Sequence, residues 1–522
     1  MRRIIIITIS VLFLCLSASA QKQDDFKTID SNITLYYTAG AWDSVIYFGN
    51  TGLASNIDYF YLRKHLGEAY FYKKNYLSAA HHFENAMKKN SYDVATQEFL
   101  YYSYLYSGRE SDVRALQPYI STETLKEIKA KSNYRIDNIY LESGISPSNN
   151  FSKNQNQDFS GGKHIFGGAV MSGKSSYTSL GLKAWLGNKV SVYAAFSFAN
   201  EQKKNIFDAT IFKPAGREIK ETDTVVTKPF PPPPYTTNDT IIRNIQRFRN
   251  EPLINKNDIA LHQKEIYLNG SIHLAKGLDI TPFVHLLATQ LTMITPAYSL
   301  TDYTATNHFD TLTQFHYPPP PVGTGEIRDT VFHWDTTYTV KTSNYSFHTK
   351  DTLFVNYSVG IAISKNIGNF AISLTGSYSN LNGRKQKEIG ASATWFPLGN
   401  LNLYCGAELT GYEEDNTKLL VKKFLAGGKI WKKIWLEGTI TLGDMSSYTE
   451  MAGYIVNNNP DIVKYRIGIT PMIFFKKFDI ILHYQYQEKQ GSYFYDNGTN
   501  PMTEGTFKYQ NQLITGGIKW KL

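Results

Sequence analysis

The feature that most constrains this chain is a period-two alternation of apolar and small polar residues, which fills it from about residue 261 to residue 522. Between residues 355 and 364, valine, isoleucine and tyrosine alternate with asparagine, serine, glycine and alanine. A soluble sandwich would carry many charges on its second face, whereas here that face is mostly Ser, Thr, Asn and Gly. The alternation therefore predicts a transmembrane β-barrel, the closed sheet that leaves no unpaired backbone in lipid.

The first twenty residues are typical of a secretory signal peptide. Arg2 and Arg3 precede an apolar stretch over residues 4–16, and small residues end the segment at Ala20. We expect residues 1–20 to be cleaved and the mature chain to be exported. No later apolar run reaches eighteen residues, so no membrane-spanning helix is predicted. Cleavage would remove Cys15 and leave Cys405 as the remaining cysteine, which the alternation directs towards lipid.

The net charge of +9 and the pI near 9.0 would suit a nucleic-acid partner. However, the basic residues are scattered, no nucleic-acid motif is present, and the chain is expected to leave the cytoplasm. We therefore predict no nucleic-acid partner. Aromatic residues make up 14% of the chain, with 37 Tyr and 30 Phe, as expected where aromatic girdles mark the two membrane interfaces.

Counting the alternating segments gives about fourteen strands, an even number of the kind that bacterial barrels have. The predicted fold class is an α-helical domain followed by an antiparallel up-and-down barrel over residues 131–522. Short turns and both barrel termini fall at one end, which faces the periplasm in known barrels. The opposite end would carry two long extracellular loops, at about 202–260 and 293–352.

Residues 21–130 change to a helical period. Tyr36, Tyr70 and Tyr104 are 34 residues apart, which indicates about three helix-turn-helix units. The segment 60–91 resembles a tetratricopeptide repeat, with an unrelated helical bundle as the alternative. The residues that would pack the paired helices together are Leu66, Gly67, Tyr70, Ala79, Phe83 and Ala86.

In such repeats the first helix of each pair lines a concave groove that binds protein partners. Arg63, Lys64 and Tyr72 lie on one of these predicted first helices. Helical spacing predicts that all three side chains are exposed there. They are therefore the candidate partner-binding residues.

The two predicted loops share an unusual composition. Each contains a proline run, which favours stiff polyproline II, and each repeats the sequence Asp-Thr-apolar. This repeat resembles an O-glycosylation sequon that one large group of Gram-negative bacteria uses on exported proteins. The alternative is that the segments are bare polar loops forming edge hairpins. The candidate glycosylation sites are Thr224, Thr240, Thr311, Thr330 and Thr352.

Three histidines predicted to face the lumen, His273, His285 and His483, are the only candidates for catalysis that we found. None has a Ser or acidic partner at a spacing that forces contact, and no nucleophile elbow or zincin motif is present. His81 and His82 point in different directions on a helix and resemble no metal site. We therefore predict no enzyme activity, no metal and no cofactor.

The last strand resembles the C-terminal signal that the outer-membrane insertion machinery reads, although Leu522 replaces the usual final aromatic residue. The domain order is similar to that of the YaiO-like outer-membrane proteins, which carry N-terminal repeats before a barrel. The resemblance implies an outer-membrane protein with a periplasmic helical domain. It would be a docking or assembly component with a periplasmic or outer-membrane protein partner. The alternative is a solute transporter or pore with a polar lumen.

Overall fold

The computed structural model describes residues 26–128, 130, 136–157, 166–228, 235–316, 328–496 and 502–522. The predicted signal peptide lies outside these residues. The chain first forms a helical domain and then a barrel. The helices of the helical domain are α1 (Phe26–Thr38), α2 (Trp42–Ala54), α3 (Phe60–Tyr72), α4 (Tyr76–Lys89), α5 (Val94–Tyr106), α6 (Glu110–Leu116) and α7 (Thr122–Glu127), with a 3₁₀ turn at Gln117–Tyr119.

The helical domain repeats with a period of 34 residues. The first helices of the three pairs begin at Phe26, Phe60 and Val94, and the second helices at Trp42, Tyr76 and Glu110. Each pair turns through one residue with positive φ, at Gly40, Lys74 and Gly108, which are also 34 residues apart. The period read from the tyrosines is therefore a structural repeat.

The residues predicted to pack the second pair meet between α3 and α4. Leu66, Ala79, Phe83 and Ala86 have no exposed surface. A β-carbon added at Gly67 would lie 2.6 Å from the Phe83 ring, so only glycine allows the two helices to approach this closely. Tyr70 is half-buried and stacks on His82, with 5.3 Å between ring centroids.

Fourteen strands close into an antiparallel barrel, which confirms the predicted fold class. A further pair, β12 and β13, forms a separate two-stranded ladder. The strands are β1 (Ile136–Ser146), β2 (Phe166–Trp185), β3 (Val190–Lys228), β4 (Tyr235–Ala275), β5 (Leu278–His316), β6 (Arg328–Ile367), β7 (Phe370–Ser379), β8 (Gln386–Trp395), β9 (Leu403–Glu414), β10 (Thr417–Trp431), β11 (Ile434–Leu442), β12 (Ser447–Glu450), β13 (Ile455–Asn458), β14 (Ile462–Phe474), β15 (Phe478–Asp496) and β16 (Thr503–Lys521). A short helix, α8 (Asn150–Asn154), lies between β1 and β2.

Apolar side chains cover the outside of the barrel. On β6 the side chains of Val359, Ile361 and Ile363 are exposed while Ser358 has no exposed surface. Cys405 is exposed on β9, as the alternation predicts. A closed antiparallel barrel with an apolar exterior is the architecture of integral outer-membrane proteins. None of the helices within the described ranges is long and apolar enough to cross a membrane.

The short turns, at 186–189, 276–277, 368–369, 396–402, 432–433 and 475–477, all lie at the end of the barrel that also carries its two chain ends. We call this the short-turn end. At the opposite end, the residues predicted to be long loops are mostly β-strand, so a loop structure for 202–260 and 293–352 is wrong. The β3–β4 ladder continues to Lys228 and Tyr235, and the β5–β6 ladder to Phe315 and Arg328.

The physical reason for this difference is composition. Thr and Tyr are frequent in the two segments and favour extended backbone, but no apolar face marks them as strands because they project beyond the lipid-facing surface. The two long hairpins also pair with each other near their tips, from Thr236 with His316 to Asn244 with His308. The proline runs lie outside the described residues.

Candidate functional site

The connection between β11 and β14 folds into the barrel instead of leaving it. We call residues 443–461 the lumen hairpin; it contains the β12–β13 ladder, from Ser447 with Asn458 to Glu450 with Ile455. The side chains of Met445 and Tyr448 have no exposed surface. The hairpin is therefore packed inside the lumen.

One wall of the barrel holds strand β12 of the lumen hairpin through charged and polar groups. Glu450 pairs with Lys423 of β10 at 3.0 Å and with Arg466 of β14. The Thr449 hydroxyl donates to Glu388 of β8 at 2.6 Å. Because both carboxylates are buried, each needs these partners to remain charged or satisfied in the interior.

The opposite wall holds the tip. The Tyr267 hydroxyl of β4 donates to the Ala452 carbonyl at 2.8 Å, and His285 Nδ1 of β5 lies 2.8 Å from the Gly453 carbonyl. The Tyr454 ring lies 5.3 Å from that of Tyr267. In the closed strand order, β11 and β4 are seven of fourteen steps apart, so the hairpin crosses the full diameter of the lumen.

The three histidines considered for catalysis are all engaged by neighbours. The second nitrogen of His285 lies 3.1 Å from Glu265. The Nδ1 atom of His273 lies 2.8 Å from Asp279. In His483 the two ring nitrogens lie 2.8 and 3.2 Å from Thr470 and Gln485. Within the described ranges, no group of three or more His, Cys, Asp or Glu residues could hold a metal ion.

The helical domain contacts the short-turn end of the barrel through α6. Asp112 accepts a hydrogen bond from the Gly277 backbone N–H at 2.9 Å, in the turn between β4 and β5. Arg109 lies 2.8 Å from Asp112 and 3.0 Å from Glu84, which ties this contact to α4. Lys183 of β2 donates to Glu110 at 2.5 Å.

A second contact joins the α3–α4 turn to the turn between β8 and β9. The Leu77 backbone N–H donates to the Gly399 carbonyl at 3.0 Å, and Asn400 donates to the Lys74 carbonyl at 2.8 Å. Gly399 has a φ of +63°, and a β-carbon there would lie 1.8 Å from Asn75 Oδ1. Contacts on both sides of the barrel mouth hold the helical domain in one orientation.

Two of the candidate partner-binding residues are used within the helical domain, so their predicted exposure is wrong. Arg63 pairs with Asp58 at 2.8 Å, and Lys64 pairs with Asp93 at 3.0 Å. Both side chains are largely covered, and their partners Asp58 and Asp93 lie just before α3 and α5. Asp93 also caps α5 by accepting from the Thr96 backbone N–H.

Arg63 also lies 3.3 Å from His82 Nδ1 on α4. Burial, together with electrostatic interaction with His81 and Arg63, lowers the pKa of His82 to about 3, so His82 is neutral at pH 7. A neutral imidazole can accept a hydrogen bond from the guanidinium. Arg63 therefore points at the second helix of its pair and stabilises the α3–α4 contact.

Tyr72, the third candidate, is exposed as predicted, at 52% of its surface. It stacks on Trp42 with 4.6 Å between ring centroids. Tyr61 lies eleven residues earlier on α3 and so on the same stripe, and Tyr106 occupies the equivalent position of Tyr72 in the next repeat. Both are exposed. We call Tyr61, Tyr72 and Tyr106 the tyrosine face.

Four of the candidate glycosylation sites lie on described side chains of the long hairpins. Thr224 faces Asp239 and Thr240 faces Asp223 across the β3–β4 ladder, so two of the repeated Asp-Thr pairs face each other. The Thr311 hydroxyl is buried. Thr352 faces Leu291 across the β5–β6 ladder, and the side chain of Thr330 lies outside the described residues. Glycosylation stays a prediction.

No family model matches this sequence, and no curated protein matches it. Among solved structures, the translocator domain of the autotransporter NalP from Neisseria meningitidis is 8% identical with a TM-score of 0.29, over 80% of this chain and 99% of that chain. The P. putida toluene transporter TodX is 10% identical with a TM-score of 0.26, over 74% and 90%. The outer membrane protease OmpT from Escherichia coli is 8% identical with a TM-score of 0.22, over 75% and 99%. TM-scores this low carry no argument about function.

Proposed function

We propose that this protein is a docking or assembly component of an envelope complex. The barrel anchors it in the outer membrane, and the helical domain, similar to tetratricopeptide repeats and to the YaiO-like order of domains, binds a periplasmic or outer-membrane protein. The long hairpins face the cell exterior. The protein acts without a cofactor and is not an enzyme, because the luminal histidines serve to hold the structure.

The observation that carries this proposal is the lumen hairpin. Passage of a solute would require the hairpin to leave both walls at once. Separating Glu450 from Lys423 and Arg466 would leave buried charges unpaired, which typically costs several kcal/mol. A barrel filled in this way favours an anchor over an open channel.

The second support is the orientation of the helical domain. Asp112, Asn75 and Leu77 hold it against two turns of the barrel, so its exposed surfaces keep a constant position relative to the membrane. The tyrosine face combines a large apolar area with hydroxyl groups, which is the chemistry enriched at the centres of protein interfaces. We place the partner there, in place of the Arg63 and Lys64 site.

The test is a pair of double variants purified from native membranes. Tyr61→Arg with Tyr72→Arg should release a protein that co-purifies with the wild type. Tyr47→Arg with Tyr119→Arg changes two tyrosines that are at least as exposed but lie on the second-helix side, and it should retain that protein. Equal retention in both variants would show that the tyrosine face is not the docking site.

The alternative, a pore, is favoured by one observation: only non-covalent contacts hold the lumen hairpin. Conductance of single molecules in planar bilayers separates the two functions. We expect the wild type to stay closed and a variant lacking residues 444–459 to conduct. Steady conductance of the intact protein would show that it is a pore and would contradict the docking proposal.

Labelling of intact cells tests the proposed orientation. A tag inserted near Pro231 or Pro319 should react from outside, and a tag near Asn90 should react only after the outer membrane is opened. The reverse pattern would place the helical domain outside the cell. Replacing the five candidate threonines by alanine should lower the intact mass beyond the substitutions themselves; an unchanged mass difference would show that the hairpins are bare.

A further inference from the structure

A cluster of exposed lysines without ion pairs among the described residues lies in one sector of the short-turn end. Two neighbouring connections, between β10 and β11 and between β14 and β15, contain four exposed lysines, and a fifth, Lys429, lies two residues before the end of β10. The turns are joined directly, because the Phe474 backbone N–H donates to the Lys433 carbonyl at 2.9 Å. We call these residues the lysine patch: Lys429, Lys432, Lys433, Lys476 and Lys477.

No acidic residue stands in the two segments that carry the patch, 428–436 and 472–478. Among the described residues, none of the ion pairs involves any of its five lysines. The nearest carboxylate along the chain, Asp479, is buried and pairs with Lys521 at 2.5 Å. The positive charge of the lysine patch is therefore not balanced by the protein around it.

The sector under the helical domain differs. There Lys183 donates to Glu110 at 2.5 Å, whereas Lys276 is partly buried near both the acidic Glu84 and Asp112 and the basic Lys88 and Arg109. Glu110 of α6 thus compensates the charge of Lys183. The lysine patch lies at turns to which, among the described residues, no hydrogen bond or ion pair joins the helices of the domain.

Aromatic side chains border the lysine patch. Lys429 lies 4.9 Å from the centre of the Trp435 ring, and Lys433 lies 5.6 Å from that of Phe475. Trp431 is exposed over 71% of its surface, and the preceding Ile430 is exposed on the outer row of β10. Tryptophan and lysine at the end of an apolar belt mark the level of lipid headgroups.

From this placement we propose that the lysine patch binds the headgroups of anionic phospholipids at the membrane surface of the short-turn end. Lys429 and Lys432 flank Ile430 and Trp431 in the sequence, so the headgroup phosphates at this level of the membrane are the anions nearest to the patch. A soluble acidic protein would have to approach along the membrane surface to reach the same groups. The binding does not depend on the docking function, since it requires only that the barrel is in a membrane.

The experiment uses the full chain in nanodiscs of equal phosphatidylcholine and phosphatidylglycerol, with the retained lipids counted by native mass spectrometry. The wild type should retain phosphatidylglycerol above its bulk fraction, and 1 M salt should reduce that enrichment because the attraction is electrostatic. Replacing the five lysines by glutamine should lower the ratio of retained phosphatidylglycerol to phosphatidylcholine by at least roughly tenfold, since each basic group near an anionic surface contributes up to a few-fold.

A matched control replaces five exposed lysines that are spread over the molecule, Lys88, Lys126, Lys153, Lys341 and Lys350, and should keep the wild-type enrichment. All forms should show heat-modifiable migration, which confirms a folded barrel. If the five-lysine variant fails to fold, a photoactivatable phosphatidylglycerol on the wild type gives the answer by crosslinking to residues 429–433 and 475–478. Equal enrichment in variant and wild type, no enrichment in the wild type, or crosslinks elsewhere would overturn the proposal.

Discussion

The helical domain and the barrel bury opposite kinds of side chain. Between α3 and α4, Leu66 and Phe83 have no exposed surface and Tyr72 is outside; on β6, Ile361 is outside and Ser358 has no exposed surface. The reason is the medium, because water surrounds the helices whereas lipid surrounds the strands. An apolar stripe therefore marks the core in one region and the exterior in the other.

The largest effect that we expect from this difference is on the helical core. Phe83→Ala should destabilise the helical domain by about 3–5 kcal/mol, because it leaves a cavity against Gly67 and Phe99. Hydrogen exchange over residues 60–106 of the full chain measures the loss, and the exposed Tyr47→Ala is the control. If the same variant also lost heat-modifiable migration, which reports a folded barrel, barrel stability would depend on the helical core, contrary to this prediction.

The lipid-facing surface should respond to charge instead of volume. Ile361→Arg should cost about 2–4 kcal/mol of barrel stability, because the cation has to leave water for hydrocarbon. Thr375→Arg, on the inner row of the neighbouring strand, should cost less. Urea unfolding in lipid vesicles compares the two variants. An equal loss of stability would mean that the inner and outer faces of the barrel are in contact with the same medium.

The join between the two regions should be weaker than either core. Asp112→Ala removes the acceptor of the Gly277 backbone N–H and should loosen the contact by about 1–3 kcal/mol. Faster hydrogen exchange at α6 and at residues 276–277, with α3 unchanged, is the expected readout. Asp43→Ala, which removes an exposed ion pair with Lys73, is the control and should change nothing measurable.

The smallest effect concerns pH. Burial raises the pKa of Glu68, to which the Tyr37 hydroxyl donates a hydrogen bond. A carboxyl group with a raised folded pKa holds its proton more tightly in the folded state, so it adds stability as the pH falls from above the raised pKa towards the ordinary value of 4.5. Glu68→Gln should remove this part of the pH dependence, by less than about 1 kcal/mol. Identical melting curves against pH for variant and wild type would contradict the assignment.

The sequence alone was enough to predict fourteen strands, their short turns and the outward direction of Cys405. These are consequences of the period-two pattern, which one face of lipid and one of water impose on every spanning strand. The same reasoning failed where strands leave the membrane. In 202–228 and 328–352 the apolar face is missing, so loops were predicted where the structure continues as β-strand.

The tertiary structure decided the direction of individual polar side chains. Helical spacing places Arg63 and Lys64 on a predicted first helix. Their side chains instead contact Asp58, His82 and Asp93, which come from other parts of the fold. The sequence carries no periodic signal for the lumen hairpin, because β12 and β13 have only four residues each. Its position depends on groups of β4, β5, β8, β10 and β14.

Sequence periodicity thus determined the repeat of 34 residues, the strand number and the face that each strand turns to lipid, since each of these is set by regular spacing along the chain. Whether the lumen is filled, and where the helical domain lies on the barrel, were decided by contacts such as Glu450 with Arg466 and Asp112 with Gly277. Those partners meet only after the sheet closes, because closure is what brings β4 and β11 to opposite sides of one lumen.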